Sequence, residues 1–450
     1  MMTMLKRPSR FTWALLGVAL VGFGVRLLYA LPKGPLKYLT DSTYFLKQSE
    51  MIATGHGFGD PFTWMQQGKV VATAFHPPLY PLVLAGASFI GNPGFTTGRV
   101  ASCLIGVATI VCVGLIGRMV AGDVGGLAGA SIVAISPNLW VLDGQLMSEG
   151  LGAALVSLTL LFAYRLLRSP TAGNAIGLGL GLGLAALTRP ETLALGAILV
   201  VPLMMVIAVP ARRRIQLFLI SVGITAAVLA PWVVRNVTGF DRPVAFSNNG
   251  EAVVGYANCD ATYYGPAVGT WWRYCPAQNA EIGVGPISGP LDSEASQAGR
   301  ERAQGFNYLK RHQKRFATVV AWARIGRTWS LYQPFSEIEA SLNEGKTVIL
   351  NRSGVFTFWA TSAAAIAGIY AIRRNRRLPI WPLLTPLVVT TLVCVYAYGT
   401  PRFRAISEPS LAVLAGAGIG LFWSVMVQRR ARRSDRLDGA KSVTTVSPEA

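Results

Sequence analysis

Apolar runs separated by short polar turns dominate this 450-residue chain. The first extends from Phe11 to Pro32, and about 20 apolar residues in helical form cross a hydrocarbon core. It is long for the apolar region of a secretory signal and shows no clear small-x-small cleavage site, so it is read as a retained anchor. Further runs follow at about 99–121, 124–142, 148–165, 172–188, 191–210, 215–234, 353–372, 379–397 and 410–428. They predict an all-α polytopic membrane protein with about ten transmembrane helices. Leu79 to Ile90 is apolar but short, and reads as a re-entrant or interfacial helix.

The polar stretches divide the chain into four parts. Residues 1–235 form an N-terminal transmembrane module, with a long first external loop at 33–92. Residues 236–351 are polar, punctuated by Gly and Pro, and read as a large external segment. Residues 352–428 hold the C-terminal transmembrane helices, and 429–450 form a charged, then Ser/Thr-rich tail expected to be disordered and cytoplasmic. Within the external segment, Phe316 to Tyr332 interleaves Val319, Val320, Trp322 and Trp329 with Arg324 and Arg327. That spacing predicts a basic amphipathic helix lying on the membrane. The Gly-rich run Gly177–Gly183 is a helix-packing face and not a nucleotide loop, because no strand precedes it.

Composition agrees: 52% of residues are hydrophobic and 14% charged. The net charge of +20 does not call for nucleic acid, since Lys and Arg cluster in short turns between apolar runs. Arg118, Arg165 with Arg168, Arg212–Arg214 and Arg373–Arg377 mark cytoplasmic turns, which puts both termini inside and the intervening turns outside. Cys103, Cys112 and Cys394 lie in apolar runs as core residues. Cys259 and Cys275 could form a disulfide if their loop is outside the cytoplasm. No zinc-type spacing or Walker motif is present.

The external turns carry the candidate chemistry. Asp41 follows the first span and opens a helical pattern through Tyr44, Phe45, Gln48, Met51 and Ile52. A lone Asp there is usually an N-cap. Glu149 and Glu191 lie at two other external turns, with Arg189, Arg235, Arg402 and Arg404. Basic residues are disfavoured at short external turns and need a reason. Ion pairs such as Arg189–Glu191 and Arg404–Glu408 are one. The other is a lipid phosphate, which the planar guanidinium fork of Arg402 and Arg404 suits. A carboxylate beside a phosphate clamp fits glycosyl transfer from a lipid-phosphate sugar, with the base taking the acceptor proton while cations stabilise the leaving phosphate. His76, in His76-Pro77-Pro78, reads first as a cap of the short helix, and otherwise as a donor or acceptor contact. Trp271, Trp272, Trp329 and Tyr332 read as interfacial anchors.

In their order these residues resemble the GT-C glycosyltransferases of the protein-mannosyltransferase and aminoarabinose-transferase type. The resemblance runs through Asp41-Ser42-Thr43-Tyr44, Pro77-Pro78-Leu79-Tyr80-Pro81, Leu187-Thr188-Arg189-Pro190-Glu191, Pro231-Trp232-Val233-Val234-Arg235-Asn236, Ser247-Asn248-Asn249-Gly250 and Arg402-Phe403-Arg404. Arg327-Thr328-Trp329-Ser330-Leu331-Tyr332-Gln333-Pro334 resembles actinobacterial members. The resemblance implies a polyprenyl-phosphate sugar donor, an envelope glycan, lipid or protein acceptor, and an active site on the external side of a bacterial plasma membrane. It implies Asp41 as general base of an inverting transfer, and Glu149 as the second acidic site. His76, Tyr80, Arg189, Glu191, Arg402 and Arg404 become donor- and substrate-binding candidates. Many relatives carry two adjacent acids, whereas Ser42 follows Asp41, so no obligatory metal is expected, with a divalent cation not excluded. The competing readings are a lipid-linked substrate transporter or flippase, and a non-catalytic scaffold binding a partner through 236–351.

Overall fold

The computed structural model describes residues 9–34, 40–284, 293–336, 347–375 and 378–443. Among them six helices are long and apolar enough to cross a membrane, and four shorter apolar helices accompany them, which makes the protein a multi-pass membrane protein. Helix α1 (Arg10–Ala30) starts at Ser9, whose hydroxyl accepts from the Thr12 amide. The region between α1 and the next span folds into α2 (Asp41–Ala53), α3 (Pro61–Gln67) and α4 (Leu79–Ser88). Asp60 caps α3 by accepting from the Phe62 and Thr63 amides. As expected, α4 is too short to span.

Two predicted spans are the arms of α5 (Phe95–Ile135), which folds back at Gly122. The φ of 83° there is open to glycine at little cost and closed to most other residues. Small residues set how close the arms come, since a Cβ on Gly126 would lie 2.6 Å from the Gly114 carbonyl oxygen. Then come α6 (Pro137–Gly144), α7 (Ser148–Arg168) and α8 (Ala172–Ala186). A bent apolar segment follows, made of a 3-10 turn (Pro190–Leu193), a π turn (Gly196–Val200) and α9 (Val201–Val206). Helix α10 (Ala211–Gly239) packs on α8 through the glycine run, with Thr225 and Ser221 donating to the Gly179 and Ala175 carbonyls.

The segment read from the sequence as external holds α11 (Asn249–Tyr256), α12 (Asp260–Tyr263), α13 (Cys275–Glu281), α14 (Glu294–Arg311), α15 (Gln313–Arg315), a π turn (Phe316–Val320) and α16 (Ala321–Thr328). Cys259 and Cys275 are disulfide-bonded across α12 and α13, with 5.3 Å between their Cα atoms. The structure corrects the expectation of a basic helix lying on the membrane. Arg324 and Arg327 are buried, and the solvent- or lipid-facing side chain is Trp322. Arg324 donates to the carbonyls of Val395 and Ala257, and Arg327 to those of Val268 and Pro266. Irregular loops leave carbonyls without a helix or sheet partner, and these two guanidiniums satisfy them.

Three elements close the bundle: α17 (Val348–Asn375), α18 (Trp381–Tyr396) and, after a 3-10 turn (Pro401–Ile406), α19 (Glu408–Val443). Helix α19 packs against both α17 and the second arm of α5 through Gly416, Gly418 and Gly368. It continues to Val443, past Arg429 where a disordered tail was expected. Ala, Arg, Leu and Lys there favour helix despite their polarity. Residues 444–450 of that tail, and the basic residues Lys6 and Arg7, lie outside the described residues. No strand occurs among the described residues, only a single bridge between Gly59 and Ala72.

Candidate active site

Asp41 is the first residue of α2, but its carboxylate does not cap the helix. Thr40 holds the cap position, and no side chain bonds the first turn. The Asp41 side chain, one-third exposed, faces Arg402 instead, and Nη2 of Arg402 donates to Oδ2 at 2.5 Å. Nε of the same guanidinium donates to Oε1 of Glu149, in the first turn of α7, also at 2.5 Å. Arg402 thus joins two acids 108 positions apart in the chain, from a turn between α18 and α19. Glu149 Oε1 also accepts from Arg189 Nη1 at 2.8 Å, and Arg189 Nε pairs with Glu191 at 2.6 Å. The expected Arg189–Glu191 pair is present and extends into a network of three carboxylates and two guanidiniums. Oε2 of Glu149 is buried with no hydrogen-bond partner.

His76 does not cap α4, whose cap position is Pro78. It is buried, with Tyr44, Phe45 and Phe75 around its ring at centroid distances of 4.8, 4.7 and 4.9 Å. Nε2 lies 3.6 Å from Asp41 Oδ1, beyond hydrogen-bond range, and has no partner. Burial works to raise the Asp41 carboxyl. The Arg402 guanidinium, with His76 alongside, outweighs it and holds the group well below the usual carboxylate range.

The other candidates sit differently. Arg404 borders the cavity, but its Nε pairs with Glu408 at 2.9 Å and its Nη1 donates to Ser330 Oγ at 2.5 Å, over the Phe358 ring. That is the ion pair read as the alternative to phosphate binding. Tyr80 is buried behind Phe45 and bonds Ser102 at 2.8 Å, away from the cavity. Arg235 donates to the carbonyls of Thr73 and Phe58. Trp329 is anchored inside by its Nε1 on Thr391.

Asp41 and Arg402 open onto a cavity of about 410 Å³ between the bundle and the external segment. Asn249, Tyr256, Trp271 and Tyr398 form part of its wall, and sequence reasoning did not find them as site residues. For Asn249, Tyr256 and Trp271 only their place in a polar, aromatic segment hinted at it, and for Tyr398 only its nearness to Arg402 in the chain. Sequence reasoning also missed the buried Arg26–Asp143 pair (2.8 Å) and Arg99, which donates to the Lys33 and Gly34 carbonyls. These two arginines tie α1 and the chain beyond it to α5 and α6.

Among the described residues no group of three or more His, Cys, Asp or Glu could hold a metal ion. Between Asp41 and Glu149 the positive charge comes from Arg402. Arg402 takes one oxygen of each carboxylate, Oδ2 of Asp41 and Oε1 of Glu149.

A family model described as dolichyl-phosphate-mannose-protein mannosyltransferase matches residues 75–234. That stretch holds His76, Glu149, Arg189 and Glu191 but neither Asp41 nor Arg402. Among solved structures, the oligosaccharyltransferase of Archaeoglobus fulgidus in its apo form aligns with a TM-score of 0.57 at 16% identity, covering 95% of this chain and 52% of that one. The same organism's oligosaccharyltransferase AglB, in complex with an inhibitory peptide and a dolichol-phosphate, aligns at 0.56 and 16% identity, over 94% and 52%. ArnT from Cupriavidus metallidurans bound to undecaprenyl phosphate aligns at 0.44 and 16% identity, over 92% and 78%. The chain spans about half the length of the oligosaccharyltransferases it matches. No curated protein sequence matches it. The chain has the GT-C fold of membrane glycosyltransferases.

Proposed function

We propose that this protein is a membrane glycosyltransferase that moves a sugar from a polyprenyl-phosphate donor to an envelope glycan, lipid or protein acceptor on the external face, with inversion. The single observation that carries the reading is the Asp41–Arg402–Glu149 arrangement at the mouth of the cavity. The family match and the dolichol-phosphate of the AglB complex support the donor class. Asp41 takes the proton of the acceptor hydroxyl as that oxygen bonds the anomeric carbon. The bond from that carbon to the donor phosphate breaks, and polyprenyl phosphate leaves with the electron pair.

Arg402 has two partners to serve in this scheme. In the resting site it pairs with Asp41 and makes the carboxylate a weak base. A donor phosphate competes for the same fork, draws the guanidinium from Asp41 and raises the basicity of the carboxylate as substrate arrives. Glu149, held by Arg189 as well, anchors Arg402 during the exchange. Because this cation is part of the chain, we propose that no divalent metal is obligatory.

The test is transfer of labelled sugar from polyprenyl-phosphate donors in proteoliposomes, wild type beside Asp41→Asn, with and without chelator. The expected result is transfer by the wild type in either condition and at least ~10²-fold loss in the variant, the scale of a removed general base. Transfer abolished by chelator would sink the metal-independent scheme. Absence of transfer from every donor, with donor lipid still bound, would favour a flippase or scaffold.

A further inference from the structure

A second cavity of about 230 Å³ lies behind the first, and Phe75 and Tyr256 line both. It has room for roughly seven waters at about 30 Å³ each, enough for one sugar ring. Its walls combine the aromatic rings of Tyr44, Phe62, Phe75 and Tyr256 with side chains that mostly accept hydrogen bonds. Tyr44 also packs against His76, the neighbour of Asp41, so the two cavities are separated by a single layer of side chains.

The polar atoms of this cavity are not equally committed. Asp60 is used as the cap of α3. Glu294 accepts from Thr73 Oγ1, the Ala74 amide and Asn248 Nδ2. Asn248 is only 1% exposed, and its orientation follows from that contact. A carboxylate accepts only, so the amide NH2 must face Glu294, and Oδ1 is left without a partner. A buried carbonyl of this kind costs stability until something donates to it. Glu301 accepts from Gln297 and Tyr256, and burial pushes its carboxyl up. Among the described residues no Lys or Arg lines the cavity, so none of them there would hold a phosphate or carboxylate.

We propose that this second cavity binds a neutral, hydroxyl-rich sugar unit of a glycan acceptor, next to the unit whose hydroxyl reaches Asp41. The proposal rests on the glycosyl-transfer reading and names the acceptor class for that site. Sugar hydroxyls donate to the carboxamide oxygen of Gln297 and to Glu301, and the apolar C–H faces of the ring lie against the aromatic walls.

The experiment measures binding without donor. Full-length protein in nanodiscs of phosphatidylglycerol and phosphatidylethanolamine is exposed to neutral methyl glycosides and short oligosaccharides of hexoses and pentoses, followed by saturation-transfer difference NMR. An aminosugar glycoside serves as the cationic comparison. Wild type and Asp41→Asn are expected to bind a neutral sugar alike. Ala298→Leu, which fills the cavity from α14, is expected to weaken binding at least ~10-fold with its melting temperature retained. Should Ala298→Leu not fold, the smaller Ala298→Val fills part of the same space and is expected to weaken binding in the same direction. Binding by no neutral sugar, binding unchanged in both variants, or preference for the aminosugar would each overturn the proposal. Sugar bound as expected, but with no transfer from any polyprenyl-phosphate donor, would instead defeat the glycosyl-transfer reading and leave the sugar site standing.

Discussion

Arg402 lies between two carboxylates, and a lysine there could satisfy only one. The fork places Nε on Glu149 and Nη2 on Asp41, and an ammonium is a single point charge on a flexible stem. Arg402→Lys should lower kcat about 10²-fold or more and raise the donor KM, because both phosphate orientation and charge stabilisation weaken. It should also let the Asp41 carboxyl rise towards its ordinary value near ~4, moving the acid limb of the kcat/KM profile to higher pH. The linkage has a definite sign. The folded-state pKa of Asp41 is depressed, so the pair contributes stability above the unfolded value and loses it as pH falls through the acid range. A melting series in acid should therefore be shallower for Arg402→Lys than for wild type. Both could be measured on one preparation, and an unmoved acid limb would detach Arg402 from Asp41. At this scale Asp41, Glu149 and the Arg189–Glu191 pair were legible from position alone, since acids at successive external turns share one surface. Arg402 as the bridge was not, because chain separation hides which guanidinium meets which acid.

At the scale of elements, α16 inverts its expected orientation, and the reason is hydrogen-bond accounting. Arg324 reaches carbonyls on α18 and at the end of α11, so it clamps the external segment to the bundle. Arg324→Leu would strand the buried Val395 carbonyl at about 1–3 kcal/mol and take one of two donors from the Ala257 carbonyl, which keeps Thr262 Oγ1, and should destabilise the protein accordingly. Thermal unfolding in detergent would reveal this, and a melt equal to wild type would show that the carbonyls find water. The Cys259–Cys275 bond closes a short loop, for which chain entropy contributes at most about 3 kcal/mol. Cys275→Ser should lower the melting temperature, with the first loss in proteolytic protection of residues 257–284. If digestion of that stretch were unchanged, the bond would be dispensable for order there. The glycine run of α8 behaves as its sequence suggests, because a helix face of glycines can only serve close approach.

At the scale of the whole molecule, every member of the charged network lies at one end of the bundle, and the positive-inside pattern predicts, as something to be tested, that this end faces outside. Glu281→Cys, at an exposed position of α13, should react with a membrane-impermeant maleimide in intact cells. Arg213→Cys, at the opposite turn, should react only after lysis, while the buried Cys103, Cys112 and Cys394 stay silent. Labelling with the reverse pattern would invert the topology and the active face with it.

Hydropathy and charge placement by themselves determined that this is a polytopic helical membrane protein, and which turns carry its acids and arginines. Those properties are local: a run of apolar residues crosses a membrane whatever its neighbours, and a turn's charge is written in the turn. Pairing between distant residues, and the choice among local alternatives, was decided by the tertiary structure. It joined Asp41 to Arg402 across most of the chain, turned Arg404 onto Glu408 and Arg324 onto loop carbonyls, and set a second, acceptor-rich cavity behind Phe75 and Tyr256. A guanidinium serves equally as lipid anchor, phosphate clamp or carbonyl cap, and only the groups that folding brings within about 3 Å select among these.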